Sequence, residues 1–375
     1  MEVINISKTK IGSIEAIFII LTIVVSHSML SLPRNYITIT KSATIINIFF
    51  ITGIATLLSI LIYKLIKNFN SSDIIDISEY LGGKVFKNII GTIFIFHFII
   101  CSSMLLRNFC EGLKLVYFPM TEIVFILLLF IIGICISNIL GNNTSIKSNL
   151  IILPFALLSI IFIFIANFKN FTPQKIFPIL GNGFYDTFIV GLINLTSFEG
   201  IIYLYFLPPY LKEPKKYKKI AITSMLLTGL YLVLCVSILL FIFPAFHSTN
   251  EIMPLYSATR YISFGTFLQR MDSFFMLIWI MAFLSYLAII CKFCIGIFQK
   301  ITNVKNSKPI IAIFGFLILG ISLLPKNLSI TNFFENNIYH YLSLGIVFIL
   351  SIGILIIANI KKRSEKKNLS KVGQQ

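Results

Sequence analysis

Long apolar runs separated by short polar breaks dominate this sequence, and they limit its fold more than any other feature. Only 12% of the 375 residues are charged. In a typical soluble domain about a quarter of the residues are charged, and they cover its surface. A chain this poor in charge must hide most of its surface from water, and the hydrocarbon core of a bilayer suits it. The sequence therefore predicts an all-α membrane protein in a lipid membrane, with no nucleic-acid partner despite the net charge of +17.

Ten of these apolar runs fit transmembrane helices when they are separated at polar residues. They cover residues 11–32, 43–66, 88–117, 121–140, 148–168, 184–206, 220–243, 271–298, 310–324 and 338–360. Most of the 31 lysines and arginines then fall in alternate loops and in both terminal segments. By the positive-inside rule, both termini are predicted to be cytoplasmic. We expect residues 361–375 to form a disordered basic cytoplasmic tail.

Two connecting segments are predicted to be more than linkers. Residues 73–87 carry apolar residues on one helical face and carboxylates on the other, as is typical of a short helix along the cytoplasmic interface. The apolar face consists of Ile74, Ile77, Leu81 and Val85. The outer loop at residues 244–269 is long and mixed, and we expect it to be ordered and partly helical, as a lid or docking surface.

Polar residues interrupt the apolar pattern inside the first and the sixth predicted spans. The first is interrupted by Ser26-His27-Ser28, and the sixth by Asn194, Thr196, Ser197, Glu199 and Gly200. Each of these spans opens a group of five. We therefore expect two inverted five-helix repeats, residues 1–180 and 181–360, with a site near the membrane midplane between the interrupted helices. An interrupted turn presents N–H groups to a carboxylate and carbonyls to an ammonium, and an amino acid carries both groups.

Glu199 is the most informative residue of the sixth span. A membrane carboxylate is costly unless it is paired, protonated or in contact with water, so we expect a site or gating role for it. His97 and His27 are its candidate partners. Ser26 and Ser28 keep two interpretations, because serines inside a span also bond back to their own helix.

Charged residues at the outer ends of spans have a structural interpretation. Arg107 and Glu111 are spaced i, i+4 near the end of predicted span three, so they are expected to neutralise each other. Asp272 lies at the start of predicted span eight, where a carboxylate suits a helix N-terminus.

Predicted span eight carries an aromatic face and a pair of cysteines. Tyr286 is either a cavity contact, with Ala282 leaving room beside it, or part of a packing face. Cys291 and Cys294 form a C-x-x-C inside an apolar helix pattern without a second ligand pair. This context favours apolar filling over a zinc or redox site.

Several motifs, in a fixed order, resemble a known family. They are S-M-L-S-L-P at the end of span one, D-I-I-D-I-S-E-Y-L-G-G-K before span three, F-C-E-G and then F-P-M-T, F-E-G-I-I-Y-L-Y-F-L-P-P-Y-L-K in span six, and L-Q-R-M-D-S-F-F-M-L-I-W at span eight. Together they resemble the GerAB-type spore germination permeases, the B subunits of nutrient germinant receptors in the amino acid–polyamine–organocation superfamily. The resemblance covers nearly the whole chain.

The resemblance implies a LeuT-like fold and the sensing of a small amino-acid-like germinant. It also implies A-type and C-type (lipoprotein) receptor subunits as partners, in the inner membrane of the endospore. Carried over, the ligand lies between broken spans one and six, near Ser26, Ser28, Thr196, Phe198 and Tyr286, with Ser102 as a span-three candidate. The superfamily usually has glycines in the first break, whereas this chain has Ser26, His27 and Ser28 there.

Two other functions stay open at this point. One is a proton-coupled amino acid permease with Glu199 as the proton carrier. The other is a structural membrane subunit without a ligand. An enzyme is not expected, because the sequence shows no nucleophile–base pair, phosphate loop or metal cluster, and no cofactor is implied.

Overall fold

The computed structural model describes residues 10–30, 32–69, 72–141, 143–243, 253–262 and 271–372. Over these residues the chain is almost entirely helical, and its only β interaction is a parallel bridge between Ile11 and Leu211. Helices satisfy backbone donors and acceptors within one segment, which a chain in lipid requires. The all-α class predicted from the sequence is confirmed.

The helices follow the apolar runs of the sequence. The α-helices are α1 (Ser13–Ser28), α2 (Leu32–Thr40), α3 (Thr44–Ile66), α4 (Ile74–Val116), α5 (Ile123–Ile139), α6 (Thr144–Ala166), α7 (Phe184–Phe188), α8 (Tyr217–Ile242), α9 (Pro254–Arg260), α10 (Met271–Thr302), α11 (Lys308–Leu323), α12 (Leu328–Phe334), α13 (His340–Ser343) and α14 (Ser351–Val372). The other long elements are a 3₁₀ helix at Val190–Tyr205 and π-helical segments at Glu335–Tyr339 and Leu344–Leu350. We call α12 to α14 with the π segments the last helix.

Seven helical stretches of the described chain are long and apolar enough to cross a membrane. Three shorter apolar helices accompany them, namely α1, α5 and α11. Each of the ten predicted spans overlaps one of these stretches. The number of helices that cross the bilayer and the side on which the termini lie stay predictions. We call the end of the bundle with the lysine-rich loops and the last residues of α14 the inner end, and the opposite end the outer end.

Both expected helix interruptions are present. In span one, α1 ends at Ser28 and α2 begins at Leu32, so the interruption follows the Ser26–Ser28 turn instead of coinciding with it. The Ser28 hydroxyl donates to the Val25 carbonyl, 2.8 Å away, within the last turn of α1. Span six is a 3₁₀ helix of 16 residues with non-helical dihedral angles at Phe198. Runs of 3₁₀ helix beyond about four residues are uncommon, so the winding of this span is unusual.

Spans one and six cross closely in the interior of the bundle. Helix α1 packs against α6, α8, α10 and the 190–205 helix, and its residues from Ile19 to Ser28 are all buried. At the crossing, a Cβ on Gly200 would lie only 2.3 Å from the carbonyl oxygen of Ile20. A small residue is therefore required for the two backbones to approach each other.

At the inner end, the predicted interfacial helix forms the first part of α4. Asp73 caps it by accepting hydrogen bonds from the backbone N–H groups of Ile75 and Asp76. The backbone then kinks at Gly82 and Gly83, and Gly83 has a φ of +69°, which residues other than glycine rarely adopt. The expected apolar face is therefore only partly correct. Its first residues, Ile74 and Ile77, are buried, but Val85 lies beyond the kink and is exposed.

Part of the segment that was expected to be a disordered tail after Ile360 is helical, since α14 continues to Val372. Lys361 explains part of this order. Its ammonium group donates to the backbone carbonyls of Tyr80 and Leu81, 2.9 and 3.2 Å away. These carbonyls end the helical turn before the kink of α4, and a cation suits that position. The Tyr80 hydroxyl in turn donates to Glu365.

The outer loop and the neighbouring charges also follow the sequence in part. Of residues 244–269, only 253–262 lie within the described chain, and they contain α9. The Tyr256 hydroxyl of α9 donates to Asp272 in the first turn of α10, at 2.8 Å. The expected pair of Arg107 and Glu111 is confirmed at 2.8 Å.

Candidate functional site

A cavity of about 760 Å³ opens at the outer end of the bundle. Three elements form it: α2 after the first interruption, the start of the 190–205 helix, and the last helix. Its volume falls within the range of about 300–1,000 Å³ that is usual for small-molecule sites. The two interrupted helices therefore meet at a space that a small solute fits.

The floor of this cavity is built around Glu199, which is 3% exposed. One carboxylate oxygen lies 2.8 Å from Nε2 of His97 in α4. The other oxygen accepts a hydrogen bond from the Tyr339 hydroxyl of the last helix. Pairing satisfies a carboxylate that would otherwise be costly inside a membrane. The predicted partnership with His97 is confirmed, whereas His27 makes no hydrogen bond to Glu199.

The contacts of Glu199 continue deeper into the bundle. The Tyr339 ring stacks on His97, with ring centres 6.0 Å apart and planes 12° from parallel. The Tyr339 hydroxyl also lies 2.8 Å from the sulfur of Cys101, which in turn lies 3.1 Å from the Tyr286 hydroxyl. A chain of hydrogen-bonding groups therefore joins α4, span six, α10 and the last helix below the cavity.

Aliphatic and polar side chains both line the cavity. The 190–205 helix contributes aliphatic residues, among them Ile193 and Leu195, as well as polar ones such as Thr196, and the last helix contributes Glu335 and His340. His27 also lines the cavity, is 8% exposed, and its Nε2 atom has no hydrogen-bond partner among the described residues. An aliphatic wall beside polar groups suits a solute with charged groups at one end and a small apolar side chain at the other.

Side chains from neighbouring helices support the irregular start of span six. The Tyr36 hydroxyl donates to the backbone carbonyl of Asn194 at 3.0 Å. The Asn194 amide donates to Asn47 at 2.8 Å, and the Asn47 amide donates to the carbonyl of Thr187 at 2.7 Å. Backbone groups released from regular helix geometry need such partners inside a membrane protein. These bonds hold the aliphatic wall in its unusual conformation.

The structure brings only some of the expected site residues to the cavity. His27, Thr196 and Glu199 line it. The other six do not line it: Ser26, Ser28, Ser102, Phe198, Ala282 and Tyr286. Two of the six are bonded elsewhere in the core, since the Ser28 hydroxyl lies 2.6 Å from Tyr231 and Ser102 donates to carbonyls of its own helix. Tyr286 reaches the site only through Cys101.

Sequence reasoning missed the contribution of the last helix. Tyr339, Glu335 and His340 line the cavity, and Glu335 also accepts a hydrogen bond from Asn108. The predicted tenth span began at residue 338, which left Glu335 in a loop. A carboxylate one turn before a tyrosine at the start of an apolar run was the available indication, because intramembrane carboxylates are rare.

In the described part of the chain, no group of three or more His, Cys, Asp or Glu residues is arranged to hold a metal ion. Cys291 and Cys294 are buried as free thiols among apolar neighbours in α10. The residues at the cavity offer ionic and hydrogen-bonded recognition, with a histidine–carboxylate pair that can hold a proton.

Comparison with known proteins places this geometry in context. A family model described as "Spore germination protein" matches residues 10–331. Spore germination protein YndE of Bacillus subtilis is 24% identical over 365 residues, which cover 96% of this chain and 99% of that protein. Spore germination protein A2 of the same organism has the same identity over 96% of this chain and 98% of its own length. Spore germination protein XB of Bacillus anthracis is 24% identical over 73% of this chain and 77% of its own.

Among solved structures, a substrate-bound, outward-open Na⁺-coupled sialic acid symporter superimposes with a TM-score of 0.65 at 14% identity. The superposition covers 91% of this chain and 78% of the symporter. At that identity the likeness concerns the fold alone, and it confirms the LeuT-like architecture expected from the sequence.

Proposed function

The chain belongs to the spore germination protein family, and from this premise we propose that it is the membrane subunit of a receptor for a small amino-acid-like germinant. It is a multi-pass membrane protein, and in this proposal it resides in the inner membrane of the endospore. An A-type subunit and a C-type lipoprotein subunit, which the family resemblance implies, are its proposed partners. The germinant binds between the interrupted first and sixth spans, and it enters this site from the outer end.

The cavity above Glu199 is the observation that carries this proposal. His27 offers a nitrogen without a protein partner among the described residues, and it suits the carboxylate of an amino acid. Carbonyls of the interrupted sixth span and the Glu199 carboxylate suit the ammonium group. Ile193 and Leu195 then face a small aliphatic side chain. Each part of an amino acid thus has a complementary group in one cavity.

Signalling follows from the connections of Glu199. A ligand ammonium close to this carboxylate competes with His97 and Tyr339, which belong to α4 and the last helix. Binding therefore favours one arrangement of these helices over another, and a population shift of this kind passes to partner subunits.

A thermal-shift screen of the purified chain against the twenty common amino acids tests the proposal. We expect one or a few small amino acids to raise the unfolding temperature in a saturable way. Ile193→Trp, which adds a bulky side chain to the lining of the cavity, should abolish that rise, and spores carrying it should fail to respond to the same germinant. Leu226→Trp is the matched control, because Leu226 lies on the exposed face of α8. If no amino acid stabilises the chain and Ile193→Trp spores germinate normally, a structural subunit without ligand is the better interpretation.

Proton-coupled amino acid permease activity is the second candidate function, and the buried Glu199–His97 contact favours it. A carboxylate and an imidazole 2.8 Å apart can share a proton that enters or leaves with the solute. The permease would be favoured if proteoliposomes accumulate the stabilising amino acid against its gradient. The uptake should then lose its pH dependence in Glu199→Gln. Binding without accumulation would favour the receptor.

A further inference from the structure

A second, much smaller cavity lies at the inner end of the bundle and belongs to no part of the proposed germinant site. Its volume is about 30 Å³, and it lies where the beginnings of α1 and α4 meet the last turns of α10. A cavity needs roughly 10–15 Å³ to hold one water molecule. It therefore has room for one or two water-sized species and not for an amino acid.

Lys292 in α10 makes this cavity unusual. The residue is 9% exposed, it lines the cavity, and its ammonium nitrogen has no hydrogen-bond partner among the described residues. Most of the other lining residues are apolar, including Phe206 and Phe293. A buried cation among apolar side chains is costly unless a negative charge compensates it.

The neighbouring carboxylates are already engaged. One oxygen of Asp73 lies 2.5 Å from the Lys300 ammonium, and the other caps the first turn of α4. Asp76 also bonds Lys300, at 2.7 Å. Both carboxylates therefore contact Lys300, and among the described residues Lys292 is the charged group of the lining that has no hydrogen-bond partner.

We propose that this inner cavity binds one small inorganic anion of the size of chloride, held by Lys292. The cavity size selects a monatomic anion over a carboxylate solute, and the unpartnered ammonium group of Lys292 selects an anion over a cation. The bound anion compensates Lys292 beside the Asp73–Lys300 pair. Because the same cavity touches the beginnings of α1 and α4, the anion stabilises the arrangement in which the inner end is closed.

Thermal unfolding of the purified full chain, without any amino acid, tests the proposal. Sodium chloride and sodium gluconate are compared at equal ionic strength, so that general screening is the same in both. We expect chloride to raise the unfolding temperature in a saturable way, and bromide to reproduce the effect. Lys292→Gln should lose the chloride-dependent rise while being no less stable than the wild type in gluconate. Lys305→Gln, an exposed lysine beyond the end of α10, should keep the rise.

Three results would overturn the proposal. The first is that the wild type unfolds at the same temperature in chloride and in gluconate. The second is a chloride-dependent rise of the unfolding temperature that persists in Lys292→Gln. The third is stabilisation by raised pH alone, which would mean that Lys292 is accommodated as a neutral amine. If Lys292→Gln does not fold, the proposal is tested by measuring whether the wild type broadens the ³⁵Cl nuclear magnetic resonance line. Broadening that bromide reverses supports the site, and no broadening overturns it. None of these measurements depends on the germinant cavity, so either proposal can fail alone.

Discussion

The outer and inner ends of the molecule use their polar residues in opposite ways. At the outer end, Glu199 and His27 line a cavity of about 760 Å³ between the interrupted helices. At the inner end, Asp73 and Lys300 form direct contacts beside a cavity of only about 30 Å³, and a cavity of about 350 Å³ lies further out between the lysine-rich loops. The buried polar groups of the outer end therefore line a large cavity, whereas the buried polar groups of the inner end contact each other and join helices.

Breaking the inner contacts should have the largest effect on this difference. Lys300→Gln leaves Asp73, which is 2% exposed, without its cation. Breaking a fully buried ion pair lowers the free energy of unfolding by about 3–5 kcal/mol. Because 29% of the Lys300 side chain is exposed, we expect a loss at the lower end, about 3 kcal/mol. Thermal unfolding measures the loss. Maleimide labelling with mass spectrometry should show faster reaction of the buried Cys291 and Cys294 as the inner end opens.

Lys216→Gln is the matched control for the inner end. Lys216 pairs with Glu213 at 2.9 Å, but both side chains are more than half exposed. Exposed pairs contribute little to stability. Equal losses for Lys300→Gln and Lys216→Gln would contradict the idea that buried contacts close the inner end.

The crossing of spans one and six, between the two ends, should be the next most sensitive place. Gly200→Ala puts a methyl group 2.3 Å from the Ile20 carbonyl oxygen, which is fixed in the backbone of α1. Overpacking usually costs 1–3 kcal/mol, and we expect about 2 kcal/mol by thermal unfolding. Gly53→Ala is the control, because no atom lies within 4 Å of the added methyl group. A Gly200→Ala chain as stable as the control would mean that the spans separate easily.

The floor of the outer cavity should show the smallest change. Tyr339→Phe keeps the ring that stacks on His97 but removes the hydroxyl that contacts Glu199 and Cys101. A hydrogen bond to a charged group contributes about 1.5–3 kcal/mol to stability, and we expect a loss of about 1.5 kcal/mol in thermal unfolding because His97 still pairs with Glu199. Tyr341→Phe, on the same helix but 63% exposed, should be neutral. A neutral Tyr339→Phe would show that the hydroxyl is dispensable for the floor.

Hydropathy and spacing predicted the elements of this fold well. Apolar runs located the helices, polar clusters located the interruptions, and the cost of a membrane carboxylate identified Glu199 as a paired residue. The contact between Arg107 and Glu111 followed from helical spacing alone. These features depend on local sequence or on the solvent around the chain, so they can be read from one sequence.

The composition of the cavity could not be predicted in the same way. Which helices adjoin Glu199 depends on packing, and Tyr339 comes from a helix 140 residues away along the chain. Ser28 and Ser102 looked equally suitable for a ligand, but their hydroxyls bond to carbonyls of their own helices. The order of α14 was missed because its lysines suggested a solvated tail, whereas Lys361 finds carbonyls left free by a glycine kink.

The π-helical winding of the last helix makes its length as important as its composition. Residues 344–350 are wound this way between Tyr339, which contacts Glu199, and Lys361, which is anchored on the first part of α4. Each residue of an α-helix turns the chain by about 100°. Deleting one residue from the α-helical part that follows, between Ser351 and Lys361, would therefore rotate Tyr339 relative to the Lys361 anchor and away from Glu199. A single in-frame codon loss there would thus break the contact with Glu199 without changing any residue that lines the outer cavity.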